Sequence, residues 1–201
     1  MGDFEEQQIK KALRLLGQLL EKLAQDHISL AVCGGSALIA LGLISRATKD
    51  IDIVARMDNM ELIPANPLPP SLIEAAKIVA LEMDLPEGWL NTGPADIMNR
   101  QLPGSGFPEG FVDRLLRMDF GSSLSVYWVS RLDQVHFKLY AAADQCAPSR
   151  HLTDLRALRP TDEELEAAAR WARLHDPSAG FMVSVRLLLH AMERDDVYDR
   201  L

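Results

Sequence analysis

A short apolar run, Ile28 to Cys33, breaks at Gly34-Gly35-Ser36, and after the thirteen residues Ala37–Lys49 a second run opens with Asp50-Ile51-Asp52. The first run is partly β-branched and short enough for a buried strand. Two glycines after it let the backbone approach a bulky anion without side-chain clash. A helix resuming at Ser36 aims free N–H groups at that anion, with the serine hydroxyl as an added donor. In the second run acids alternate with aliphatics. Asp50 and Asp52 therefore emerge on one face of a strand while Ile51 and Ile53 pack on the other. Paired hard oxygens suit Mg²⁺, which binds few carboxylates and fills its shell with water and substrate phosphate. A phosphate cradle beside a carboxylate pair is the equipment of in-line nucleotidyl transfer.

The rest of the chain predicts an α+β arrangement. Ile9, Leu13, Leu16, Leu20 and Leu23 recur at three- and four-residue spacing, which predicts an amphipathic helix over about residues 5–25. The prolines from Pro64 to Pro70 precede a predicted helix at about Ser71–Met83. Residues 85–110 are rich in Pro and Gly and read as an irregular excursion, with Leu102–Pro108 a candidate lid or a plain surface loop. Strands are expected at Phe111–Phe120 and Leu124–Ser130 around a Gly121-Ser122 turn. The last third is helical, and Thr161 with Glu164 three residues on forms a capping-box pattern at one helix start. The expected division is a core over residues 1–131 and a helical C-terminal lobe over 132–201 packed on it.

Bulk properties narrow the partners. A net charge of −8 disfavours a broad nucleic-acid surface, though a small basic cleft remains allowed. The two cysteines, Cys33 and Cys146, form no metal-ligand spacing and no disulfide framework, which fits a reducing cytoplasm. The N-terminus is acidic where a secretory signal would be basic and then apolar, and no apolar run reaches the roughly 20 residues of a membrane helix. The histidines His136, His151, His175 and His190 lack metal spacing, and Trp89, Trp128 and Trp171 are scattered as packing residues are.

The strand, Gly-Gly-Ser, helix and Asp-x-Asp order resembles the nucleotidyltransferase superfamily with the DNA polymerase β-like fold, most clearly over Ile28–Val54. It looks closest to the stand-alone bacterial branch that includes abortive-infection and toxin–antitoxin nucleotidyltransferases. The resemblance implies a mixed sheet flanked by helices, with Asp50 and Asp52 as catalytic metal ligands and Gly34, Gly35 and Ser36 on the phosphates of an NTP. Magnesium would be the cofactor. The acceptor is left open among a tRNA end, a small molecule and a protein hydroxyl, and the branch implies a cognate antitoxin-like partner.

Two later segments also resemble that branch. By this likeness Lys138, in Leu132–Ala142, is a triphosphate contact, and Asp154, in Arg150–Leu155, is a polar anchor near it; the plainer alternative is that Asp154 only caps or salt-bridges its helix. Arg46 either meets the phosphates or pairs with the two acids; Thr48 and Lys49 share that segment. The family usually adds a third carboxylate from a later strand. Here the strand in that position carries Ser125, with Asp119 on the preceding strand as a substitute if the register differs. Without a third acid, a nucleotide- or partner-binding module with weak or lost catalysis is the alternative to an enzyme.

Overall fold

A computed structural model of the chain describes residues 5–23, 26–96, 106–145 and 149–201. The lid candidate falls largely outside these residues, as does the helix break at Pro148. The chain divides into two compact units, Met1–Asn99 with Gly110–Ser130, and Arg100–Glu109 with Arg131–Leu201.

The first unit is a sheet backed by helices. It begins with helix α1 (Glu6–Lys22), whose start is closed by a capping box between Glu5 and Gln8. Strand β1 (Ile28–Cys33) runs into helix α2 (Gly34–Ala40), and β2 (Ile51–Asp58) and β3 (Glu61–Ile63) follow as a hairpin. Helix α3 (Pro70–Met83) has proline at its first position, where the missing N–H costs nothing, and returns the chain to β4 (Leu90–Asn91). A 3₁₀ turn at Val112–Arg114 precedes β5 (Leu116–Asp119) and β6 (Leu124–Trp128).

Among the described residues the sheet has six strands in the order β3-β2-β1-β6-β5, with β4 pairing the start of β2. It is mixed: β1 is antiparallel to β2 but parallel to β6, and β4 is parallel to β2. The register of β1 and β2 shifts between Ala31 and Val32, so that Ala31 faces Ala55 while Val32 faces Ile53, leaving Val54 as the extra residue of a bulge.

One face of the sheet is the core. Leu30, Val32, Ile51, Ile53, Val126 and Trp128 pack with Ile9, Leu13, Leu16 and Leu20 of α1, all essentially inaccessible to solvent. The spacing of the α1 leucines is what creates this seam. Gly17 brings α1 close to the β5–β6 turn: a β-carbon there would fall under 3.0 Å from the Phe120 carbonyl oxygen. Trp89 and Trp128 are core residues, and the Trp89 indole donates to the Ala76 carbonyl at 2.9 Å.

Two elements differ from the sequence reading. Phe111–Leu115 is a turn and a 3₁₀ segment rather than strand, and the region after Leu85 contains the short strand β4. The bends before and after these pieces follow their prolines and glycines, which interrupt regular pairing and leave only two to four residues for each strand.

The second unit is helical: α4 (Arg131–Asp144), α5 (Arg150–Ala157), α6 (Asp162–His175), α7 (Ala179–Ala191) and α8 (Asp195–Tyr198). Thr161 and Glu164 make the capping box, each bonding the other's backbone N–H. Glu164 also receives a two-point ion pair from Arg131 at 2.7 and 3.0 Å, tying α4 to α6. Phe137, Tyr140, Trp171, His175 and Phe181 form an aromatic cluster between α4, α6 and α7. Among the described residues no helix is long and apolar enough to cross a membrane.

Candidate functional site

The carboxylates and the glycine turn meet at one corner of the sheet. Cys33, the last residue of β1, pairs with Asp52 in β2, so the chain leaves β1 as Gly34 directly beside that carboxylate. Gly34 has φ of +73°, a conformation that side chains rarely tolerate, and a β-carbon on it would fall under 3.0 Å from Asp52 Oδ2. Any larger residue would be strained here and would have to displace the Asp52 carboxylate. The turn opens α2, whose first N–H groups have no acceptors within the helix by its geometry.

Asp50 lies immediately before β2 and Asp52 within it; both are partly exposed while Ile51 and Ile53 are in the core. Thr48, nearly buried, donates its hydroxyl to Asp50 Oδ1 at 3.3 Å. Arg46 sits against the glycine turn. Its Nη2 would be 3.1 Å, and the Thr48 hydroxyl 2.9 Å, from a β-carbon on Gly35, and its Nη1 donates to the Ala47 carbonyl at 3.0 Å. A cationic guanidinium thus borders the turn on the side of the acids. Lys49 is exposed beside them.

Asn91 is a residue of this corner that the sequence reading missed. It pairs with Asp52 across β4 and β2, and its amide donates to Asp52 Oδ1 at 3.1 Å. Nothing in Leu90-Asn91-Thr92-Gly93-Pro94 marks it, because its position is created by a two-residue strand inside a Pro/Gly-rich stretch.

Ser36 takes a different position from the one expected. It is fully buried, and its hydroxyl lies 3.4 Å from the Cys33 carbonyl, to which it donates. It braces the turn from beneath, and Gly34 is the one member of the Gly-Gly-Ser trio that is partly open to solvent.

Asp119 stands at the other end of the strands. It pairs with Ser125, which pairs with Ser29, four residues before Cys33. At strand rise that is about 13 Å from the level of Asp52, too far for a shared ion. There Asp119 accepts from Ser125 at 2.5 Å and from Arg117 at 2.8 Å, and those bonds, the serine's foremost, hold its carboxyl below the usual range. The His27 ring extends the chain, 2.8 Å from the Ser125 hydroxyl and 2.7 Å from the Ser122 carbonyl. The neighbour of Asp52 on the far side of β2 from β1 is Asn91, not an acid. Among the described residues no group of three or more His, Cys, Asp and Glu is placed to hold a metal ion.

In the helical unit Lys138 and Asp154 form a buried ion pair at 2.8 Å, with side chains 5% and 1% exposed. The pair joins α4 to α5. A lysine held this way differs from the flexible, solvated cation that a phosphate contact was expected to be. A cavity of about 550 Å³ in the same unit is bordered by Trp171, His136, Arg173 and Met182, and it includes neither member of the pair.

The donor set at the sheet corner fits magnesium in its chemistry: two hydrogen-bonded, partly exposed carboxylates, with a glycine turn instead of a side chain opposite Asp52. In comparisons with known proteins, residues 11–148 match the model of a family described as "Nucleotidyltransferase of unknown function (DUF6036)". Those residues include the whole corner. The searches of curated proteins and of solved structures gave no match.

Proposed function

The chain belongs to the DUF6036 family of nucleotidyltransferases of unknown function, and from that premise we propose that it transfers a nucleoside monophosphate from an NTP to an acceptor at the Gly34–Asp52 corner. The observation that carries this reading is the Cys33–Asp52 pairing, which sets a carboxylate against a glycine turn at a helix start. Asp50 and Asp52 would hold magnesium, which would neutralise triphosphate charge and polarise the phosphorus under attack.

The chain's own groups do the rest by position. Gly34 lets phosphate oxygens approach the backbone, and the N–H groups opening α2 are donors for them. Arg46, beside Gly35, would meet the charge that shifts toward the leaving pyrophosphate. Thr48 and Asn91 fix the two carboxylates from the outer side. Because proximity and fixed charge dominate phosphoryl chemistry, this set would act chiefly by positioning.

A second reading, a nucleotide-binding module without turnover, is favoured by two observations: the side chain beside Asp52 on β4 is an amide, and Asp119 is remote. The acceptor is left open among a tRNA end, a small molecule and a protein hydroxyl, and an antitoxin-like partner and a cytoplasmic location belong to the same proposal.

The test is calorimetric titration of each NTP, with and without Mg²⁺, on wild type and Asp52→Ala, followed by a pyrophosphate-release screen with Asp50→Asn as control. Metal-dependent binding that disappears in Asp52→Ala supports the site. Pyrophosphate release abolished by Asp50→Asn supports the enzyme. Binding with no release under any acceptor supports the module, and equal NTP binding by wild type and Asp52→Ala overturns both.

A further inference from the structure

We infer that Asn91 is a positioning residue for Asp52, setting how that carboxylate is presented to a cation; this rests on the reading of the corner as a metal and nucleotide site. Three observations point to it. Asn91 is the register partner of Asp52 on a parallel neighbour, so the two side chains leave the sheet on the same face. The Asn91 amide is oriented by its own second bond: the Gly93 N–H donates to Asn91 Oδ1 at 2.9 Å, which turns the NH₂ group toward Asp52. That NH₂ reaches Asp52 Oδ1 at 3.1 Å, while Oδ2 of the same carboxylate lies against Gly34.

The carboxylate plane is thereby defined at both ends, by an amide on one oxygen and by the glycine backbone on the other. β4 exists over only two residues, and both are spent on this alignment: Leu90 pairs Ile51 in the core and Asn91 pairs Asp52 at the surface. The choice of amide over acid also sets the charge of the corner. A carboxylate at position 91 would stand opposite Asp52 as a third negative group, whereas asparagine donates and leaves two. Residues that orient metal-binding carboxylates in this manner affect metal affinity by about 10–100-fold.

The experiment measures the Mg²⁺ concentration at which α,β-methylene analogues of the four NTPs bind half-maximally, in wild type, Asp52→Ala, Asn91→Ala and Asn91→Asp, with thermal unfolding of each. Asn91→Ala is expected to raise the Mg²⁺ midpoint at least tenfold, with analogue affinity at saturating Mg²⁺ within about threefold of wild type. Asn91→Asp keeps an acceptor for the Gly93 N–H but removes the donor and adds a carboxylate, so it is expected to lower the midpoint. It also serves if the alanine variant fails to fold. An unchanged midpoint in the folded Asn91 variants, or lost analogue affinity with no midpoint shift, overturns the inference. If wild type binds no analogue in a Mg²⁺-dependent way, or Asp52→Ala binds as wild type does, the underlying site reading fails instead.

Discussion

The carboxylate of Asp52 and the α-carbon of Gly34 are packed so closely that no side chain fits between them. This contact joins the two halves of the motif in space, although the thirteen residues Ala37–Lys49 and the helix start lie between them in sequence. Gly34→Ala should therefore act twice. The left-handed backbone costs an alanine about 1–2 kcal/mol, and the new methyl displaces the acid. We expect Tm to fall by several degrees, at about 2–4 °C per kcal/mol for a chain of this size, and Mg²⁺-dependent NTP binding to disappear in calorimetry. Wild-type binding in this variant would contradict the proposed cradle.

Gly17 makes a separate prediction, on stability alone. Alanine gains about 1 kcal/mol of helix propensity in a helix interior, but here its methyl would meet the Phe120 carbonyl. Overpacking against backbone costs about 1–3 kcal/mol, so Gly17→Ala should be destabilising overall in urea denaturation. A stabilised variant would mean that α1 and the β5–β6 turn separate easily.

Lys138→Met tests the buried pair. Removing the ammonium leaves the Asp154 carboxylate, 1% exposed, without its cation, and such changes cost about 3–5 kcal/mol. Denaturant unfolding should show that loss. An unchanged unfolding free energy with much weaker NTP binding would return the lysine to the phosphate role implied by the family resemblance.

The Asp119–Ser125 bond predicts a pH effect. A carboxyl whose folded pKa is depressed stabilises the fold above its unfolded value, about 4, and loses that contribution as pH falls through the folded one. Asp119 is such a group, with the serine bond as the largest cause and Arg117 next. Ser125→Ala should move the Asp119 titration upward in carboxyl NMR and flatten the acid limb of stability below about pH 4. Because the Asp119 side chain is 54% exposed, the effect on total stability will be small. An unmoved titration would remove the serine as its cause.

The legible part of this fold is the part written in periodic patterns. The α1 leucines, the β1–α2 break and the alternation at Asp50–Ile53 each follow from local side-chain spacing, and they lead directly to the corner where the acids meet the glycines. Asn91 was illegible because two residues carry no period, and its role depends on a parallel pairing made only after α3 has crossed the sheet. Asp119 enters the sequence reading only as a substitute under a different register, and its distance from Asp52 is not legible there, because position along neighbouring strands is set by the whole sheet and not by either sequence segment. The motif implies a phosphate donor at Ser36, but its place in the motif does not reveal which way the hydroxyl turns.

The extra residue at Val54 bears on how the two acids come to face outward at all. If the pairing of Ala31 with Ala55 continued without interruption, Cys33 would stand opposite Ile53, and Asp52 would turn toward the apolar face that packs on α1. Two unpaired carboxylates there would carry a desolvation cost that the fold could not absorb. The irregular register is therefore the one in which these acids stay wet. The same side chains proposed to hold the cation act, earlier and without any ligand, as selectors among alternative alignments of the strand.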